Sequence, residues 1–480
     1  MRKKTKTYPT KKEENLMKTM KVLSLILALV MALSLTVCSS AEEIAGFIPK
    51  MDQNASLTLT MYGPGLFAST GAEGSIDLTS GITTPGYNEV VARWAEFYPN
   101  VKLDIQPIPW SDWQANVTTA VMTGDIDIIL HGATLASLCE DLQPYIDATE
   151  GFMDQIYAVA SRYAADAPAT PKVDGVSYTV TPMLAYLDTK IFADYGIELP
   201  GADWTWGDLL ALAEKMTGTD PVTGEQTYGY KFVSRVANNN FYFNHMMLAQ
   251  AYGGGIIHYA DKLSEITADY KGEASMKAFE MIAEQAKYVS PDCKEGITDD
   301  TTLVADNNVA IRIEQSPFVH YAEAEAAGDA ERWAWLTLPC AEAGDGAGKP
   351  TYFLGENNLA IAYNSDAKDW AWEFIRFMVN DVEVQKWYVA TRNLPNNVAG
   401  QNLITSIVTP ERAATMYAAL ADLPFGWNNA TNDCVNTAFL GTLSSDIYVA
   451  QDSLIKGEFT PEQAADYVQS NLNTFLATLQ

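Results

Sequence analysis

Histidine, cysteine and positive charge are scarce in this 480-residue chain. Its four histidines, His131, His245, His258 and His320, are scattered and lack the HExxH spacing of a helix-borne metal site, so no metal centre is expected. The cysteines show no CxxC spacing. Cys139, Cys293, Cys340 and Cys434 lie far apart in a chain large enough to fold without staples, and buried free thiols are expected. The 31 Lys and Arg stand against 60 Asp and Glu, a formal net charge of -29. So acidic a surface is repelled by phosphate backbones, which excludes nucleic acid as a partner. No GxSxG elbow occurs, and the nearest phosphate-loop match, Gly224 to Gly229, continues as Tyr230-Lys231 instead of Lys followed by Ser or Thr. No cofactor is implied. Long apolar runs are missing too, with one exception.

That exception is Val22 to Val37, about 16 residues where a membrane span needs roughly 20. Lys18 and Lys21 precede it and CSSAEE follows, an order of basic, apolar and small residues that reads as an export signal. Eight Lys/Arg against Glu13 and Glu14 give the first 37 residues a charge of +6, so the remainder carries -35. The sequence LTVC at Leu35 to Cys38 resembles a bacterial lipobox, with Val37 where a small residue is usual. Lipidation of Cys38 on the outer face of the membrane is expected, with cleavage after Ala41 and secretion as the alternative. Either way the mature protein is extracytoplasmic.

What is present is a large apolar complement, 48% of residues with 11% aromatic, enough for more than one core. SLTLTMY from Ser56 alternates like a strand and breaks at Gly63-Pro64-Gly65 into a long polar loop reaching Thr84-Pro85. Val90, Val91, Trp94 and Phe97 recur at helical spacing, VKLDI alternates again, and Ser111 is expected to cap a helix that Gly124 stops. DIDIIL reads as the next strand, with Asp127 near its C-terminal end. Strands separated by single helices imply parallel pairing. A second α/β unit starts near VSYTVTP, at Val176. It contains a capping box at Thr205 and Asp208 and a strand, NNVAIRIEQ, ending at Gln315 before Ser316-Pro317. Thr460-Pro461-Glu462-Gln463 opens the terminal helix in the same manner.

Aromatic rings in segments expected to be loops are the main chemical signal: Tyr62 beside GPG, Trp110 in PIPWSDW, Phe241 to Phe243 around Tyr242, Tyr352-Phe353, and Trp427 in PFGWNNATN. Flat rings beside amides and carboxylates suit neutral polyhydroxylated ligands, whose C–H faces bury on the ring while hydroxyls bond to neighbours. Trp94, Trp113, Trp370 and Trp372 fall on apolar helix faces and are read as core. Asp127 is a candidate hydroxyl acceptor, with helix capping as its plain alternative.

YPNVKLDIQPIPWSDW followed by GDIDIILHG, then YLDTKIFADYGIELPGADWTWGDLLALAEKMT from Tyr186, then AWEFIRFMVNDVEVQKWY with TRNLPNN, together resemble extracellular solute-binding proteins that serve carbohydrate ABC importers. The resemblance covers nearly the whole mature chain. It implies an α/β, two-lobed, periplasmic-binding-protein-like fold of type II, each lobe a doubly wound, mostly parallel sheet flanked by helices. The expected divisions are a signal peptide at 1–37 and a tether at 38–55, then the N-terminal lobe at 56–175 and mainly the second lobe at 176–345. A return and crossover at 346–400 and C-terminal helices on the second lobe at 401–480 complete the chain. The expected ligand residues are Tyr62, Trp110, Asp127, Tyr186, Tyr242, Gln315, Phe353, Gly355, Glu356 and Trp427. The implied function is capture of a sugar by a non-catalytic monomer that docks on a membrane permease. A secreted polysaccharide hydrolase and a binder of a non-sugar solute are the alternatives.

Overall fold

The strand elements follow from period-2 patterning. In LTLTMYG, Leu59 and Met61 are buried on one face while Tyr62 and its even-numbered neighbours look the other way. The computed structural model describes residues 46–76, 83–130, 135–157, 159–164, 167–232, 243–254, 256–258, 267–296, 308–315, 317–352, 354–420 and 437–478. In chain order the strands of the two main sheets are β1 (Leu57–Gly63), β2 (Val101–Pro107), β3 (Ile128–Leu130), β4 (Val159–Ala164), β5 (Ala167–Pro182) and β6 (Leu184–Asp188). There follow β7 (Gly218–Thr219), β8 (Gln226–Lys231), β9 (Val309–Glu314), β10 (Trp333–Leu336), β11 (Leu354–Ile361) and β12 (Leu394–Pro395).

The first sheet runs β12-β5-β11-β3-β1-β2 with β4 paired to β5, and the second runs β10-β6-β9-β8-β7. Among the described residues, parallel pairing between strands is confined to β1 with β2 and β3 and to β8 with β9, the strands joined by crossover helices. The strands that pass between sheets pair antiparallel, as β11 does with β3 and β5, and β9 and β10 do with β6. The expectation of mostly parallel sheets therefore holds only for the βαβ core of each lobe. The chain leaves the first sheet at Pro182 and enters the second at Leu184, later than the Val176 start read from the sequence. It returns through Tyr352 into β11.

Each sheet is covered on its faces by apolar clusters. One face of the first sheet packs Leu59, Met61 and Leu359 against Trp94, Tyr98, Phe374 and Phe377 from the helices Asn88–Phe97 and Lys368–Asn380. Its other face packs Ile129 and Ala360 on Val117 and Val121. The second sheet buries Leu187, Ile311 and Ile313 against Trp204, Trp206 and Phe279, with the helices Thr437–Lys456 and Pro461–Ala477 completing that core. A third cluster takes residues from both sheets. Val180 of β5 and Leu394 of β12 join Leu184, Tyr186, Trp333 and Trp335, and the helix Pro410–Leu420 seals them with Ala413, Met416 and Leu420. Arg412 lies over the rings of Tyr321 and Trp335 and donates to the Ala330 carbonyl at 2.6 Å.

Both expected capping boxes form, Thr205 with Asp208 and Thr460 with Gln463. Ser111 is not a cap. The helix Trp113–Thr123 starts after Asp112, whose backbone is left-handed at φ 52°, with no side-chain cap, and ends at Gly124 as expected. The segment read as a long loop after Gly65 contains a short helix, Leu66–Thr70, and a hairpin of Gly74–Ile76 with Thr83–Pro85. Cys139, Cys293 and Cys340 are buried thiols, and Cys434 lies outside the described residues. Among the described residues no helix is long and apolar enough to cross a membrane. The export run and Cys38 lie outside the described residues.

Candidate ligand-binding site

In sheets of this build the C-terminal ends of the parallel strands form the edge at which ligands are met. On the first sheet those ends are Gly63, Pro107 and Leu130. Gly63 is held at φ 141°, and a Cβ there would run into the Leu130 carbonyl oxygen, so only glycine lets β1 turn across β3. Two residues on, Gly65 at φ 112° leaves room for Asn357 of β11, whose Oδ1 would lie 3.1 Å from a Cβ. The Asn357 amide donates to Thr179 Oγ1 at 2.9 Å, beside a bulge at Asn357/Asn358. The Ile108 N–H donates to the Gly63 carbonyl at 3.0 Å and ties the next turn to this edge.

That turn carries Trp110, 52% exposed, with Trp113 edge-on to it at 5.9 Å. Trp113, Tyr62 and Ile108 all pack on the Val117 cluster. Tyr62, Trp110 and the Gly63-Pro64-Gly65 turn therefore share one edge.

On the second sheet, β8 and β9 end at Lys231 and Glu314. Gln315 follows, and its Oε1 would lie 3.3 Å from a Cβ at Gly355, which pairs with Thr181 at the start of β11. Gln315 and Gly355 are thus brought together where the chain crosses between sheets. Gln250 pins the same crossover, accepting from the Tyr352 N–H at 2.8 Å. Burial pushes the Tyr352 phenol up to about 12. Glu356 stands in β11 opposite Val180. Tyr242, Phe353 and Trp427 lie outside the described residues.

Two expected residues sit elsewhere. Asp127 precedes β3, at the opposite end from Leu130, because the strand starts only at Ile128. Its carboxylate accepts from the Thr60 N–H at 3.0 Å and from the Ser365 hydroxyl at 2.6 Å, tying β1 to the turn after β11. Tyr186 is fully buried in the third cluster, with His320 and Trp335 edge-on to its ring at 5.5 and 5.8 Å. Burial, with the charge of Glu314, holds its phenol well above the usual range. In this conformation it offers no surface to a ligand.

Tyr186 lies in a cross-strand row, paired with Arg312 on one side and Trp335 on the other, and Arg312 pairs in turn with Lys231. Arg312 also faces Glu314 at 3.5 Å. Sequence reading passed over this buried charged row because the alternation of YGYKFV and NNVAIRIEQ marks a strand without marking which face its polar members take. His245, buried and bonded to Ser275 at 2.9 Å, is held by burial at about 3 and is neutral at ordinary pH. Among the described residues no three His, Cys, Asp or Glu side chains are grouped to hold a metal.

A profile of the bacterial extracellular solute-binding proteins matches residues 80–385, well over half of the chain. The chain belongs to this family. The matched stretch of this solute-binding protein contains Trp110, Gln315 and Gly355 and stops short of Tyr62. Among curated proteins none is a significant sequence match.

Solved structures share its two-lobed fold at low identity. An ABC substrate-binding protein from Listeria monocytogenes, in complex with cycloalternan, superposes with a TM-score of 0.62 at 17% identity, over 88% of this chain and 100% of that one. The sugar-binding protein MalE from Xanthomonas citri gives 0.64 at 14% identity, over 88% and 98%. A cyclic alpha-maltosyl-1,6-maltose binding protein from Arthrobacter globiformis gives 0.63 at 16% identity, over 88% and 100%.

Proposed function

We propose that this solute-binding protein captures a carbohydrate between its two sheet edges and delivers it to the membrane permease of an ABC importer, without catalysing a reaction on it. The observation that carries the reading is the meeting, at one edge, of Tyr62, the glycine turn and Trp110, with Gln315 and Gly355 at the crossover. Ring faces and amide groups together match the C–H faces and hydroxyls of a sugar. The relative solved in complex with cycloalternan and the cyclic alpha-maltosyl-1,6-maltose binding protein support the same class of ligand. Neutral ligand chemistry also fits a protein with a formal net charge of -29, which repels anionic solutes at long range.

Delivery requires that ligand bias the lobes toward a closed arrangement. A shift from 1:99 to 99:1 takes about 5.5 kcal/mol of preference for the closed form. Rings and amides contributed from both sides of the crossover are a source of that preference. The export run and a lipid on Cys38 would hold the monomer on the outer face of the membrane, beside the permease.

The experiment is a thermal-shift screen over sugars, polyols, amino acids, polyamines and phosphate esters. A ligand at one hundred times its Kd stabilises the protein by about 2.7 kcal/mol. A carbohydrate is expected to give the largest rise in Tm. A screen in which an amino acid or polyamine raises Tm and no sugar does would overturn the reading.

A further inference from the structure

The helix Val382–Ala390 ends on a turn that glycine fits best and arginine fills. Thr391 is its last cap, the Arg392 N–H donates to the Val389 carbonyl at 3.0 Å, and the Asn393 N–H reaches back to the Tyr388 carbonyl at 2.9 Å. This pair of bonds needs the left-handed backbone at the residue after the cap, and Arg392 takes it at φ 63°. Such a backbone is strained for a residue with a Cβ and unstrained for glycine. A cation there gains from the helix dipole, but a lysine would gain as much. The cap by itself therefore does not call for a guanidinium.

The side chain is set apart as well. Arg93, Arg312, Arg332, Arg376 and Arg412 each meet a carboxylate, in a chain whose 60 Asp and Glu outnumber its 31 Lys and Arg. Arg392 is partly buried, and its Nε is shut from solvent without an acceptor among the described residues. A buried donor left without an acceptor is costly and is kept where another role requires it.

Register places this residue at the ligand-facing end of the first sheet. β12 pairs Leu394 with Val180, so Arg392, two residues earlier, stands level with Pro182, and Pro182 pairs with Leu354 next to Gly355. Arg392, Pro182 and Leu354 thus lie side by side across β12, β5 and β11 with no offset along the strands, about 10 Å from first to last at roughly 4.8 Å per spacing. Gln315 meets Gly355 at the same point from the second sheet. Val389 and Leu394, on either side of Arg392, are held in the cluster shared by both sheets.

Resting on the carbohydrate reading above, we propose that Arg392 is a specificity-determining residue, whose guanidinium fork donates to two hydroxyls on adjacent carbons of the sugar unit lodged beside Gln315 and Gly355. A planar fork with parallel N–H groups matches a pair of neighbouring oxygens, which is what a vicinal diol offers in a neutral solute. The site then selects sugars whose unit at the crossover keeps both hydroxyls unlinked. The strain in the helix cap is retained because glycine, though better for the turn, has nothing to offer the diol.

The test is calorimetric titration of the parent, Arg392→Gly and Arg392→Lys with maltose, cellobiose, xylobiose and trehalose, with a urea unfolding curve for each protein. Arg392→Gly is expected to weaken binding of the tightest sugar roughly ten- to hundredfold, while its unfolding midpoint equals or exceeds that of the parent. Arg392→Lys keeps the charge beside the helix end and loses the fork, so it should lose nearly as much affinity. Arg392→Gly binding as tightly as the parent, or unfolding at a lower midpoint as a structural residue would, overturns the role of Arg392 and leaves the carbohydrate reading standing. Arg392→Lys binding as tightly as the parent overturns the fork, and a digalacturonate bound more tightly than every neutral sugar overturns the diol in favour of a carboxylate. Binding of none of these sugars, with an amino acid or polyamine found in the screen, would overturn both readings.

Discussion

Glu373 gives the sharpest test of how the first lobe is held together. Its Oε1 accepts from the Lys50 N–H at 2.7 Å and from the Tyr98 hydroxyl at 2.5 Å, and its Oε2 meets Arg376 Nη1 at 2.5 Å. Arg376 in turn donates to the Ile48 carbonyl at 3.3 Å and lies over the Phe47 ring, which sits among Trp94, Phe97, Tyr98 and Phe377. The first described residues are thus fastened through one carboxylate to the helix Lys368–Asn380. Glu373→Ala strips two donors of their acceptor and leaves a guanidinium, 7% exposed at its side chain, without its counter-charge. Breaking a buried pair from one side costs about 3–5 kcal/mol, whereas replacing both partners with apolar groups of similar volume costs little. Glu373→Ala should therefore lower the free energy of unfolding in a urea titration by that amount, shifting the midpoint at unchanged m, and the double replacement Glu373→Leu with Arg376→Met should recover more than half of the loss. A single variant within about 1 kcal/mol of the parent, or a double variant as costly as the two singles added, would refute the argument that the stranded charge dominates.

Two further outcomes follow from local geometry. Asp127→Asn removes the charge from the acceptor that joins Thr60 to Ser365 and is expected to cost about 1–2 kcal/mol of stability with sugar affinity unchanged. A large loss of affinity at preserved stability would return Asp127 to the ligand site. His245 is lowered by burial from 6.5 to about 3, so between those values the unfolded chain binds a proton that the folded protein does not. Its contribution is complete above pH 6.5 and is lost as pH falls toward 3, at about 1.4 kcal/mol per pH unit. The stability–pH curve of His245→Phe should be flatter by that slope across the window, and curves that run parallel to the parent would show that His245 does not carry it.

Much of the fold was legible because it is written locally. The alternation in SLTLTMY and VKLDI, the helical spacing of Val90, Trp94 and Phe97, and the paired caps at Thr205 and Thr460 each need only a few neighbouring residues, and each forms as read. The passage between sheets is different. β5 and β6 are separated by Met183 alone, β6 and the 173–180 stretch of β5 are buried, and nothing in VSYTVTPMLAYLD distinguishes the residues that pair with β11 from those that pair with β9. Strand partners are chosen across the whole molecule, so a boundary without a turn or a change of period leaves no local trace.

The site divides along the same line. Tyr62 and Trp110 stand out as rings next to turn residues, and the structure puts both at one edge because β1 and β2 are parallel neighbours in register from Leu57 with Val101 to Gly63 with Pro107. Asp127 and Tyr186 were expected beside them, an acid with helix capping as its alternative and a ring in a strand. What separates them is direction: Asp127 stands at the start of β3, and the Tyr186 ring points into a cluster shared by both lobes. A strand's sequence reports its two faces, while the edge that meets the ligand depends on which way the strand runs and on what covers each face. That cluster also has a mechanical consequence. Val180, Leu394, Tyr186 and Trp335 pack together beneath the helix Pro410–Leu420, so any relative movement of the lobes must either preserve these contacts or expose them. At about 25 cal/mol per Å² of apolar area, exposing even 100 Å² costs about 2.5 kcal/mol, comparable to half of the preference a ligand must supply to close the lobes. Glu314 pairs with Leu184 and Gly355 with Thr181, so the short link at Met183 lies beside Gln315 and Gly355, and movement of the lobes about it has to carry Val180 and Leu394 past Leu184 and Tyr186.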